Sequence, residues 1–181
     1  IYDENVSEMK PLNDGLAGKI KNEHKISDHL TDELKGVFKK AFQFYMTQIQ
    51  KADQYDIELD RAWVNEMKAH EYNPFHYHTG VKSEIGLSSV LVLKRPNTYG
   101  KEASKEKEPS NGYLEFIGGD QGPLAIPQFR VDAQVGEFYV FPYSLMHGVY
   151  PFNSTDEVRR TMSYNCDLFK PTQNEPGVKR F

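Results

Sequence analysis

The chain has 181 residues, a formal net charge of −4 and a mean hydropathy of −0.68, with 38% hydrophobic and 13% aromatic residues. That length fits one domain. The charge leaves no basic footprint for nucleic acid, and no apolar run reaches the roughly 18 residues of a membrane helix, so a soluble, cytoplasmic protein is expected. Cys166 is the only cysteine, which excludes an internal disulfide and fits a reducing compartment.

Residues 1–26 are polar and are interrupted by Pro11, Gly15 and Gly18, which predicts irregular structure with at most a short strand. Ile1–Lys10 lacks the apolar centre of an export signal. From Leu30 an apolar stripe runs through Leu34, Phe38, Ala41, Tyr45 and Ile49, while Lys35, Lys39, Lys40 and Gln43 take the other side. The spacing predicts one amphipathic helix over residues 28–53, capped by Ser27 or Asp28. After Asp53 short β-branched and aromatic runs alternate with Gly, Pro and Asn. Arg61–Met67, Phe75–His78, Ser88–Lys94, Gly112–Ile117, Gln128–Val131, Glu137–Phe141 and Thr161–Leu168 read as strands, and another begins at His147. The expected fold is mainly β with an N-terminal helix: a jelly roll with that helix on one outer face. Residues 1–56 would support a core at 57–169, with 170–181 as a loose tail, all within one domain. The charged stretch Lys101–Ser110 reads as a solvated loop.

The chemistry concentrates in histidines and one arginine. His76 and His78 are two residues apart, so on an extended strand both imidazoles point to one side. Asn73-Pro74 before them and Thr79-Gly80 after them place the pair near a strand end. His147 follows a turn that Pro142 opens, beside Gly148. By themselves these residues also fit one buried, hydrogen-bonded histidine and one exposed one. In Arg159–Asn165, period two puts Arg159, Thr161, Ser163 and Asn165 on one face and Arg160, Met162 and Tyr164 on the other. A polar inner face with a guanidinium suits an acidic ligand, because arginine grips a carboxylate with two parallel hydrogen bonds.

Taken together, Asn73–His78, Leu87–Pro96, Gly112–Phe116, Phe141–Pro151 and Arg159–Asn165 resemble, in order and separation, the 2-oxoglutarate- and Fe(II)-dependent oxygenases of the prolyl-hydroxylase-like type. The resemblance covers roughly residues 61–169. It implies a double-stranded β-helix with His76 and His147 as iron ligands. Arg159 would hold the distal carboxylate of 2-oxoglutarate, with Thr161 where the family carries a serine. The usual ligand triad is two histidines and a carboxylate, and the carboxylate position here is His78. The resemblance therefore implies a three-histidine site, with Glu71 or Glu84 as possible replacement acids. It implies oxidation of a C–H bond on a small molecule or a peptidyl side chain, coupled to conversion of 2-oxoglutarate to succinate. Trp63, Tyr72, Tyr77, Tyr139 and Tyr143 read mainly as packing residues. Two other readings stand beside this one: a cupin-like metal- or ligand-binding module without oxoacid turnover, and a structural β-sandwich with incidental histidines.

Overall fold

Two long strands that pair with each other organise the chain. The structure is a computed structural model, and it describes residues 1–12, 19–101, 109–119, 123–124 and 126–170. In chain order these form a short helix α1 (Tyr2–Asn5), β1 (Asn22–Lys25), α2 (Asp32–Phe44), β2 (Asp56–Met67), β3 (Asn73–His76), β4 (Gly86–Lys94), β5 (Leu114–Ile117), β6 (Gln128–Val131), β7 (Phe138–Pro142), β8 (Met146–Val149) and β9 (Arg159–Phe169). The strands make a five-stranded sheet in the order β1-β2-β9-β4-β7 and a four-stranded sheet in the order β3-β8-β5-β6, with every pairing antiparallel. Residues 13–18, most of the charged 101–110 stretch and the tail beyond 170 lie outside the described residues.

Alternation along β9 sorts the side chains into layers. Met162, Tyr164, Cys166 and Leu168 face outward and join Ala62 and Val64 of β2 and Leu87 of β4 in a core beneath α2. Phe38 and Phe42 meet Tyr164 edge-on, with ring centroids 5.3 and 6.5 Å away. The opposite face of β9 carries Arg159, Thr161, Ser163 and Asn165, and turns toward the four-stranded sheet. Between the sheets a second core forms from Met67, Val90, Leu114, Phe116, Phe141, Val149 and Phe152. The molecule is thus a helix laid on a two-sheet jelly roll, as the sequence predicts.

The helix boundaries differ from expectation. Thr31, not Ser27 or Asp28, is the N-cap, and its hydroxyl accepts from the Leu34 N–H at 3.3 Å. Ser27 is spent elsewhere, since its hydroxyl accepts from the Ala62 N–H at 2.8 Å, and Ser27–His29 is a single 3-10 turn. The apolar row that reaches the sheet is Phe38, Phe42 and Met46, an i, i+4 series. A π-turn over Tyr45–Ile49 ends the helix, and its wider spacing swings Ile49 into solvent.

The third strand also ends earlier than expected. Asn73 pairs with Val149 and His76 with His147, so β3 carries one residue more than its partner between those points. Pro74 sits in this bulge on an edge strand, where its missing N–H costs no ladder bond. His78 therefore lies beyond the strand, in a loop. Among the described residues no helix is long and apolar enough to cross a membrane.

Phe42 is fully buried between α2 and the sheet. Phe42→Ala is expected to destabilise the protein by about 3–5 kcal/mol through lost burial and a residual cavity, read as a lower urea midpoint at unchanged slope.

Candidate metal centre

Three strand-borne constraints bring the histidines together. Cross-strand pairing sets His76 opposite His147, with ring centroids 4.3 Å apart. Gly148 favours the close approach: a Cβ there would stand 3.1 Å from both the Asn73 carbonyl oxygen and the Phe75 nitrogen, and the backbone of β3 would have to give way. His78 is drawn back to the same place by its own N–H, which donates to the Tyr143 carbonyl at 2.9 Å. The loop after it is fastened by Asp167, which accepts from the Lys82 N–H at 2.9 Å and from the Tyr143 hydroxyl at 3.1 Å. As a result the ligand nitrogens of His76, His78 and His147 all fall within 4.8 Å of one another.

The ring protons are placed by local bonds. Nδ1 of His76 lies 2.8 Å from the Pro74 carbonyl, and Nδ1 of His147 lies 2.9 Å from the Leu145 carbonyl. A carbonyl only accepts, so Nδ1 carries a proton on both rings, and Nε2 is the nitrogen left to face a metal. Nε2 of His147 is 3.3 Å from Nε2 of His78. Burial, then the neighbouring His147 and His76, pushes the His78 pKa down to about 3; burial, then His76, pushes that of His147 down to about 4. Both are neutral imidazoles at neutral pH, which is the form that binds a metal.

These rings open on a cavity of about 360 Å³ between the sheets. At its inner end lies Arg159, 2% exposed, with Nε and Nη2 lacking any hydrogen-bond partner among the described residues. Burial lowers the pKa of its guanidinium, and the nearby Tyr99 opposes that shift. Two unpaired donors on a buried cation are costly unless an acceptor arrives, and a carboxylate has the matching geometry. Thr161, buried next to it on the same face of β9, also lines the cavity. The donor set of three imidazoles with an orphaned guanidinium behind them fits an iron site with an oxoacid co-substrate.

Comparison with known proteins gives the family. A sequence family described as "Putative 2OG-Fe(II) oxygenase" matches residues 61–165. The chain belongs to this oxygenase family. The protein is accordingly an enzyme that uses Fe(II) and 2-oxoglutarate, and the reading as a cupin-like module without oxoacid turnover is set aside. No curated protein matches this oxygenase in sequence. Its fold is similar to that of a Pseudomonas putida prolyl-4-hydroxylase, at 13% identity and a TM-score of 0.59, over 91% of this chain and 80% of that one. It is also similar to a Trichoplax adhaerens prolyl hydroxylase solved with a hypoxia inducible factor peptide, at 11% identity and a TM-score of 0.57, over 92% and 74%. A third similar structure is the viral collagen prolyl hydroxylase of Paramecium Bursaria Chlorella virus-1 in its 2-oxoglutarate complex, at 17% identity and a TM-score of 0.51, over 92% and 87%.

Other residues of this oxygenase fall in places the sequence did not disclose. Glu71 is consumed by the Lys68 N–H at 2.9 Å, and Glu84 lines a separate groove near Tyr55, so neither joins the histidines. Trp63 is buried, but as cavity wall, with its ring 5.7 Å from that of His78. With the Asn65 amide turned so that its oxygen faces the indole, the Trp63 N–H donates to it at 3.3 Å and the Asn65 nitrogen donates to Glu23 at 3.2 Å. Tyr99 and Glu23 are equally unforeseen, because each comes from a segment with no pattern of its own.

Glu23 is 4% exposed, and burial raises its carboxyl from 4.5 to about 7, with nearby Arg61 opposing. Because the folded value lies above the unfolded one, its contribution to stability is complete below pH 4.5 and fades as the pH rises through about 7. Glu23→Gln should flatten the fall in stability of the metal-free protein between pH 5 and about 8, measured by urea denaturation across that range.

Proposed function

We propose that His76, His78 and His147 hold Fe(II) through Nε2, that Arg159 with Thr161 holds the distal carboxylate of 2-oxoglutarate, and that the enzyme hydroxylates a C–H bond of a small molecule or a peptidyl side chain. The observation that carries this is the convergence of three imidazoles on one side of a cavity whose inner end holds a buried guanidinium with two donors unpaired among the described residues. Residues 57–169 act as the catalytic core, and residues 1–56 support it through β1 and α2.

When bound, Fe(II) and 2-oxoglutarate supply the oxygen chemistry that breaks a C–H bond. The chain supplies position. The two carbonyl-bound rings present Nε2 without rotation, Arg159 fixes the orientation of the oxoacid, and the apolar wall from Val90, Leu114 and Val149 keeps water from its methylenes. A neutral His78 in place of a carboxylate leaves the ion with its full charge, so the bound oxoacid provides the neutralisation.

The test is conversion of labelled 2-oxoglutarate to succinate by the protein with Fe(II) and ascorbate. His147→Ala is expected to lose retained Mn(II), measured by electron paramagnetic resonance of the dialysed protein. Arg159→Ala is expected to retain Mn(II) yet bind 2-oxoglutarate roughly 10- to 100-fold more weakly, the worth of a charge-assisted pair, measured by calorimetry on the Mn(II) form. Unchanged oxoacid affinity in that variant removes the role assigned to Arg159.

A further inference from the structure

The strand that walls the cavity, β2, changes face partway along. Leu59 pairs with Cys166 and Ala62 with Tyr164, so β2 carries one residue more than β9 across that interval. Before the bulge Ile57 and Leu59 pack toward α2; after it Ala62 and Val64 do so, while Trp63, Asn65 and Met67 line the cavity. The extra residue therefore brings Arg61 onto the cavity side, a common use of a bulge beside a site. Arg61 lines the cavity with Trp63 and His78, and its side chain is 48% exposed. Its one ion pair among the described residues is with Asp60, at 4.0 Å, which is too long for a hydrogen bond. Its charge reaches inward, since it favours ionisation of the buried Glu23, which lines the same cavity.

Register fixes where Arg61 stands relative to the rest of the site. Arg159 is opposite Met67 and Thr161 is opposite Asn65, while Trp63, which touches His78, is opposite Ser163. At about 3.3 Å per residue, Arg61 lies roughly 7 Å beyond Trp63, and Arg159 roughly 13 Å on its other side. The histidines thus sit between two guanidiniums, one buried at the inner end and one at the mouth.

We infer that Arg61 binds a carboxylate on the substrate, so that the enzyme acts on a small organic acid whose reacting carbon lies a few bonds from that group. This rests on the assignment of the oxoacid to Arg159 made above. With His78 where an acid would stand, the histidines contribute no negative charge, and a second anion at the mouth is electrostatically matched to the site. The guanidinium fork favours a carboxylate over its neutral amide.

The experiment uses the full chain loaded with Mn(II) and N-oxalylglycine, with valerate and valeramide as probes of equal shape and different charge. Paramagnetic broadening of their proton resonances reports binding near the ion. Valerate should bind at least about 10-fold more tightly than valeramide, with its terminal methyl broadened more than the methylene next to the carboxylate. Arg61→Gln should bring valerate down to the valeramide level, and Arg61→Lys should keep part of the preference, as a charge without the fork. Equal binding of the two probes by the wild type, or undiminished valerate binding in Arg61→Gln, overturns the assignment. So does broadening by valerate that saturating N-oxalylglycine abolishes, because the acid would then be occupying the Arg159 end. A wild-type protein that retains neither Mn(II) nor N-oxalylglycine overturns the metal and oxoacid assignments too. An intact complex without valerate preference removes Arg61 alone.

Discussion

His76 and His147 meet because β3 runs antiparallel to β8 with one residue to spare. An even register would shift the faces of β3, since side chains alternate, and the imidazole of His76 would turn away from the sheet interior. The spare residue is accommodated at Pro74, and the bare backbone of Gly148 favours the closeness of the two strands. His78 then depends on the same pairing, because the loop that carries it starts where β3 stops and is held by Tyr143 in the turn between β7 and β8 and by Asp167 on the five-stranded sheet. The two sheets are joined at this point by hydrogen bonds to a loop, and elsewhere by apolar packing.

The cavity is unusual in what it spends. Arg159, Thr161, Ser163 and Asn165 are all nearly inaccessible, and they occupy a face that an ordinary sandwich fills with aliphatic side chains. Some of this polarity is internally satisfied, as in the Ser88 hydroxyl that donates to Asn165 at 2.8 Å. Nε and Nη2 of Arg159 have no partner among the described residues, and burying them unpaired is destabilising. The compensation comes from the other side of the same strand, where Met162, Tyr164, Cys166 and Leu168 are buried under α2. One strand thereby carries both the strain of the site and the packing that offsets it. Cys166 takes part only as volume: it is inaccessible, and burial pushes its thiol up to about 12.

Most of this was legible in the sequence where periodicity or motif spacing carries the signal. The alternation in Arg159–Asn165 announced the two faces of β9 and the polar lining, and the apolar stripe from Leu30 to Ile49 announced a helix on the outer face, although the row that packs is Phe38, Phe42 and Met46 and Ile49 is exposed. The helix starts at Thr31 and not at Ser27 or Asp28 because the Ser27 hydroxyl is held by the Ala62 N–H, a tertiary bond that no local pattern contains. The grouping of His78 with the other two histidines follows from a loop, not from the strand that its spacing suggests. Tyr99, Glu23 and Asn65 were invisible as site residues, because nothing local distinguishes a tyrosine that meets Arg159 from one in the core. The re-aiming of Arg61 is an event of register between β2 and β9, and no single-strand pattern contains it.

Both carbonyl bonds to Nδ1 are local, each joining a histidine to the residue two places before it. The aim of these rings is thus set by short-range backbone geometry together with strand pairing, through bonds that do not involve the ion. In small zinc-dependent domains, by contrast, metal capture and chain collapse are one event. Here the two are separable: a chelator would strip the protein without unravelling it, and reloading would be a docking reaction into a finished frame.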